Sequence, residues 1–324
     1  MSVAVTGGTG FIGSHVVKKL VEQGRPVAVA TDFAHLGMEN LTGLGIRDAD
    51  VEVRKADLTD YRQARTALSG VEVVFHLAAV VGSLKYLHGT ETAELTTLQR
   101  NLAIDANLFR ICLEEGVKKL VYASSCAVYP MDRQYSHGAV FREDDFNATN
   151  PDGGYGWSKL LGELQLGWTK NIGIGIARIF NAYGENEPLE EVRAHAIGDL
   201  TRKVVLSTQP ELKVRGDGTQ SRDFLYITDC ADALLRVEEK ASSPPLIVNI
   251  GSGRPTGIGT IAEKLVALSG KDIRLTYDLS QPTGPVSRTA DMTKARQVLG
   301  WQPEVSLDDG LRQTYQWVKS RLGR

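Results

Sequence analysis

The chain has 324 residues, enough for two domains or for one large domain with an added lobe. Its composition is that of a soluble globular protein, 42% hydrophobic and 23% charged, and a formal net charge of -2 gives no reason to expect nucleic acid or an anionic membrane as partner. No apolar run approaches transmembrane length, and the three cysteines, Cys112, Cys126 and Cys230, are too few and too scattered for a disulfide framework or a zinc site, so a reducing cytoplasm is the expected setting.

Residues 3–6 are expected to form a short apolar strand, and with the strand starting at once no signal peptide is expected. It runs into Gly7-Gly8-Thr9-Gly10-Phe11-Ile12-Gly13, behind which Ile12, Val16, Val17, Leu20 and Val21 mark an amphipathic helix. Glycines at this spacing permit a tight turn and close approach of a pyrophosphate, which the free N–H groups of the helix start would face. Residues 26–31 are a second strand with Asp32 at its end. That spacing from the glycines suits a carboxylate binding the adenosine ribose, and no arginine follows to welcome a 2′-phosphate, so NAD is expected rather than NADP. Residues 51–54 and 71–77 are further strands. Asp57 either bonds the adenine or caps the helix beginning near Asp60, with Leu58 beside it. Leu77, Ala78 and Ala79 allow the backbone to lie close to the cofactor, and His76 reads as a packed strand residue.

The stretch 80–97, with Gly82, Ser83 and Lys85, is polar and long enough to reach a substrate. A helix over 101–115 is expected to bury Leu102, Ala106, Phe109 and Leu113 and to stop at Gly116. A buried strand then leads to Ser124-Ser125-Cys126, which places Ser125 at a strand's carboxyl end, where open α/β sheets bind ligands. Tyr155 and Lys159 follow at helical spacing, so they share one face, and an ammonium beside a phenol lowers its pKa. Such a phenol can take a hydroxyl proton while hydride leaves the same carbon. A sixth strand spans 174–180. The alternation predicts a doubly wound parallel α/β sheet over 1–182, rejoined by returning segments 224–229 and 246–250, and a smaller α/β substrate lobe over 183–324. Arg222, and Arg288 in a Pro-rich loop, are candidates for a diphosphate, since arginine grips phosphate bidentately.

Gly7-x-x-Gly10-x-x-Gly13, Asp57, His76-Leu77-Ala78-Ala79, Ser125 and Tyr155-x-x-x-Lys159 stand in the order of the extended short-chain dehydrogenase/reductases, the NAD-dependent nucleotide-sugar epimerase/dehydratase family. Arg178-Ile179-Phe180-Asn181-Ala182-Tyr183-Gly184, the Gly216-Asp217-Gly218 loop, Asn249-Ile250-Gly251-Ser252 and Leu299-Gly300-Trp301 extend the likeness over nearly the whole chain. Within the family it resembles most the GDP-mannose 3,5-epimerases and then the GDP-fucose synthases, through the segments around Gly82, Cys126 and His195, although Cys126 stands three residues before Tyr129 rather than two.

The resemblance implies a Rossmann domain holding NAD, a nucleotide-sugar substrate, a sugar or phosphate contact at Asn181 and a homodimer through helices of the first lobe. It also implies an epimerase working through a transient 4-keto sugar. Tyr155 would take the C4 hydroxyl proton, Lys159 would tune the phenol and hold the nicotinamide ribose, and Ser125 would bond the C4 oxygen. Cys126 and His195 would exchange protons at C3 and C5. Turnover of the keto sugar within the pocket, giving 4-epimerisation, is the alternative and needs neither Cys126 nor His195. A keto-sugar reductase, a dehydratase and a non-catalytic dinucleotide sensor rank lower.

Overall fold

Seven parallel strands form the main sheet of the computed structural model, which describes residues 1–32, 37–82, 86–87, 89–145, 150–191, 193–280 and 284–323. The first part of the chain runs β1 (Val3–Thr6), α1 (Phe11–Glu22), β2 (Val27–Thr31), β3 (Glu52–Lys55), α2 (Tyr61–Leu68), β4 (Val73–His76), α3 (Glu91–Glu114), β5 (Lys119–Ser125), β6 (Val140–Phe141), α4 (Gly153–Gly167), β7 (Gly173–Ile179) and β8 (Asn181–Tyr183). It continues with α5 (Ala196–Leu206), β9 (Glu211–Arg215), β10 (Ser221–Tyr226), α6 (Ile227–Lys240), β11 (Leu246–Ile250), β12 (Pro255–Gly257), α7 (Ile258–Ser269), β13 (Arg274–Asp278), β14 (Ser287–Ala290) and α8 (Leu307–Leu322), with shorter helical turns between.

The main sheet has the order β3-β2-β1-β4-β5-β7-β11, and each neighbouring pair is parallel. Its central strands are apolar throughout because helices cover both faces. On one face Val3, Val5, Val29 and Val121 meet Val16, Val17 and Leu20 of α1 and Leu234 of α6. On the other, Ala4, Ala28, Val74 and Leu120 meet Leu68 of α2, Leu108 of α3 and Leu166 of α4. Strand order reverses between β1 and β4, which opens a crevice at the strands' carboxyl ends.

β11 lies at the sheet edge beside β7. The expected return of 224–229 to this sheet is corrected: β10 pairs instead with β8, β12 and β14 in a second sheet that also contains β6. Residues from Ile227 onward open α6, and it is this helix that packs back on the first sheet, against α1. Arg288 likewise sits in a strand, not a loop, because Ser287–Ala290 is fully buried between β10 and β6.

α3 begins ten residues before its expected start, where the Thr90 hydroxyl accepts the Ala93 N–H and caps it. Its buried face carries Asn101, Ile104, Asp105, Leu108, Ile111 and Cys112. Of the residues expected there, Phe109 is buried, Leu102 is half-buried, and Ala106 and Leu113 are exposed.

Candidate active site

A cleft of about 720 Å³ runs along the carboxyl ends of β1, β2, β4 and β5 and under the second lobe. At its floor the turn after β1 places Gly7 at φ +67°, with its N–H donating to the Ala30 carbonyl at 2.8 Å. A Cβ on Gly13 would lie 2.1 Å from the Gly7 carbonyl oxygen, so α1 can start against the turn only with glycine there. Gly10, Phe11 and Ile12 at the helix start line the cleft, as do Asp32 at the end of β2 and Asp57 and Leu58 after β3. Asp57 accepts the N–H and hydroxyl of Thr59 at 2.9 and 2.7 Å, and these bonds hold its carboxyl below its ordinary value. Helix capping falls to Asp60, which takes the N–H groups of Arg62 and Gln63. Leu77, Ala78 and Ala79 form the opposite wall, the first two donating their N–H groups to the Thr6 hydroxyl at 3.1 and 3.2 Å. Helix dipole, close-approach glycines and two carboxylates on one cleft fit a dinucleotide.

Tyr155 reaches the cleft from the first turn of α4, and Ser125 at the end of β5 stands beside it. Ser125 accepts the Ala127 N–H at 3.1 Å, which fixes its rotamer. Burial pushes the phenol above its ordinary value, and Ser125 opposes this. The expected depression by Lys159 does not dominate, since the ammonium lies 5.9 Å from the Tyr155 ring centroid. Lys159 is itself buried; desolvation lowers its pKa, and the charges of Asp105 and Glu163 resist this. Glu163 is held by Arg178 at 2.7 Å and by the Ser124 hydroxyl.

The other wall comes from the second lobe. Arg222 and Arg288 are register partners on the parallel strands β10 and β14, so they emerge side by side. Arg288 donates to the Cys126 sulfur at 3.4 Å and to Asp152 at 3.0 Å, while its buried Nε has no hydrogen-bond partner among the described residues. Burial and then the charge of Arg288 bring Arg222 down to about 10. Asn181 donates to the Asp223 carbonyl at 3.2 Å. His195, just before α5, also lines the cleft, and burial lowers its pKa. Gly82 lines the cleft, whereas Ser83 and Lys85 lie outside the described residues.

Ser125, Cys126, Tyr155, Lys159, His195, Asn181, Arg222 and Arg288 thus share one cleft with the glycine turn. Two residues at or behind the cleft lie outside the motifs read from the sequence. Glu187 is buried, accepts the His195 N–H at 3.1 Å, and is pushed up to about 8 by burial. Asp105, on the buried face of α3, bonds His76 and Tyr122 behind Lys159. A carboxylate at a position of core periodicity is the available signal for Asp105; for Glu187 there is none.

Residues 3–251 match the model of the NAD dependent epimerase/dehydratase family. Among curated proteins, GDP-mannose 3,5-epimerase 1 of Oryza sativa subsp. japonica is 30% identical over 328 residues, covering 99% of this chain and 82% of the relative. GDP-L-fucose synthase 1 of Arabidopsis thaliana is 30% identical over 326 residues, covering 97% and 92%. Among solved structures, the UDP-glucose 4-epimerase of Thermotoga maritima with UDP-glucose superposes with a TM-score of 0.86 at 26% identity, covering 99% of this chain and 100% of that one. The chain belongs to the NAD dependent epimerase/dehydratase family; it is an enzyme, and NAD is its cofactor. No described helix is long and apolar enough to cross a membrane.

Proposed function

We propose that this NAD-dependent nucleotide-sugar epimerase acts through a transient 4-keto sugar, on a GDP-sugar in the manner of its GDP-mannose relatives. The observation that carries the reading is Tyr155, beside Ser125 at the carboxyl end of β5 and backed by Lys159, on the glycine-turn cleft. NAD, when bound, would supply the hydride acceptor and donor for the C4 carbon. Gly7, Gly10, Phe11, Ile12, Gly13, Asp32, Asp57, Leu58 and the 77–79 wall hold it. Tyr155 takes the C4 hydroxyl proton and Ser125 bonds the C4 oxygen. Arg222 and Arg288 meet the diphosphate, and the open Nε of Arg288 supports this. Gly82 meets the sugar, and Asn181 the sugar or a phosphate.

Cys126 and His195 line the same cleft and exchange protons at C3 and C5 of the ketone. Simple 4-epimerisation is the second reading, supported by the likeness to a UDP-glucose 4-epimerase and by a Cys126 thiol already engaged by Arg288. Turnover of GDP-, UDP-, dTDP- and CDP-sugars in D2O separates the two. Deuterium at C3 or C5 supports the first, and a C4 epimer without deuterium replaces it with the second.

The enzyme works as a cytoplasmic homodimer of carbohydrate biosynthesis, its partner met through α3 and α4. Support comes from Trp157 and Leu164 on α4 and Trp168 at its end, which are exposed at spacings that share one side, with Leu95 and Leu113 exposed on the adjacent α3. Trp168 is 79% exposed, far more than a tryptophan serving only the monomer needs. Light scattering on Trp168→Glu should give a monomer; a wild-type monomer would remove the proposal.

A further inference from the structure

A chain of buried polar groups runs behind the site, and the reaction as described leaves it unused. The Thr6 hydroxyl lies 2.8 Å from His76 Nδ1, and His76 Nε2 lies 2.9 Å from Asp105 Oδ1. The Tyr122 hydroxyl donates to Asp105 Oδ2 at 2.7 Å. Lys159 Nζ sits 4.8 Å from the centroid of the Tyr122 ring. All of these side chains are buried. The bonds set the protonation pattern. A carboxylate oxygen only accepts, so Nε2 carries the hydrogen and Nδ1 accepts from Thr6. Burial lowers the pKa of His76, which agrees with a neutral ring. Asp105 therefore takes both of these hydrogen bonds from neutral donors.

The charges facing Lys159 can be taken element by element. α4 itself brings Tyr155 and Glu163, β5 brings Tyr122 and Ser124, β4 brings neutral His76, and α3 brings Asp105. Glu163 shares its charge with Arg178 on β7, which donates to both of its oxygens. Among the described residues, that leaves Asp105 as the carboxylate facing Lys159 that no arginine engages. Space for it is made by Gly162, where a Cβ would lie 2.3 Å from the Tyr122 hydroxyl and 2.8 Å from Asp105 Oδ2.

We propose that Asp105, tied to His76 and Tyr122, is the positioning residue for Lys159: its carboxylate keeps the buried ammonium charged and seated against the Tyr122 ring, behind Tyr155. The proposal rests on reading Lys159 as the partner of Tyr155, but its test does not. A buried ammonium without a counter-charge gives up its proton. The ring face of Tyr122 attracts the cation, and its hydroxyl links that ring to the anion. The same network ends at Thr6, whose oxygen takes the Leu77 and Ala78 N–H groups, so the wall of the cofactor cleft and the site lysine hang on one set of bonds.

The test is an NMR titration of enzyme labelled with 13Cε-lysine, with the Lys159 signal assigned by its loss in Lys159→Met. In Asp105→Asn the Lys159 midpoint should fall by about one pH unit or more. Asp105→Glu, which keeps the charge, should leave it within about half a unit of wild type even where the melting temperature drops. Tyr122→Phe removes only one oxygen, frees Asp105 to turn away and should move the midpoint down by less; it serves as well if Asp105→Asn does not fold. A Lys159 midpoint that stays put in the folded variants, with only stability reduced, overturns the proposal and leaves Asp105 a structural residue. Failure of the epimerase reading would appear in the sugar panel and leave this titration untouched.

Discussion

The two banks of the cleft are built differently. On the first-lobe bank, polar side chains around Tyr155 are held by buried partners: Glu163 by Arg178 and Ser124, Asp105 by His76 and Tyr122, Ser125 by Ala127. On the second-lobe bank the groups that line the cleft come from strand ends and a helix start, and Arg288 and Glu187 each keep a buried atom without a hydrogen-bond partner among the described residues. The locked bank fixes the surroundings of the proposed base, Tyr155. The other bank keeps bonding capacity for a ligand whose identity differs from one relative to another.

Changes on the locked bank should be the harshest. Tyr155→Phe should cut turnover by roughly 10²–10⁴-fold with an unchanged melting temperature, as read by steady-state rates on the sugar panel; near-wild-type rates would move the base elsewhere. Glu163→Ala strands the Arg178 guanidinium, which is 2% exposed, and should cost about 3–5 kcal/mol in denaturant unfolding. A loss as small as a surface pair gives would dissolve the contrast between the banks.

Glu187 sharpens the contrast through pH. Its carboxyl is raised from 4.5 to about 8, burial being the largest cause. Over that window the unfolded chain releases this proton while the folded chain keeps it, so the group's contribution to stability falls as pH rises. Glu187→Gln should melt increasingly above wild type from about pH 5 to about pH 8 and converge with it at lower pH. A constant gap would mean that Glu187 is ionised in the fold. Cys126→Ser should have the smallest effect, below about 1 kcal/mol on stability because the hydroxyl still accepts from Arg288. It should slow deuterium entry at C3 and C5 while C4 oxidation persists, and full deuterium entry would take the thiol out of the mechanism.

The part of the molecule governed by local pattern is legible in the amino-acid sequence. Gly7, Gly10 and Gly13 between a strand and a helix, the apolar strands of a two-sided sheet, and Tyr155 four residues before Lys159 are all short-range signals, each with one economical physical reading. Where long-range packing competes with pattern, the pattern misleads. Apolar residues alone suggest one face of α3, yet the helix buries Asn101 and Asp105 and exposes Leu113, because bonds to Val80, His76 and Tyr122 compensate their desolvation. Residues 224–229 have the apolar character of a main-sheet strand, but which sheet a strand joins is decided by partners distant in sequence, here Asn181–Tyr183 and Ser287–Ala290. Sequence alone determined the α/β class, the dinucleotide turn and the Tyr–Lys pair, since these depend on neighbours within a few residues. Only the tertiary structure decided that Arg288 faces Cys126, that Glu187 underlies His195 and that a carboxylate stands behind Lys159, since a buried charge is legible only when the groups that compensate it are in view.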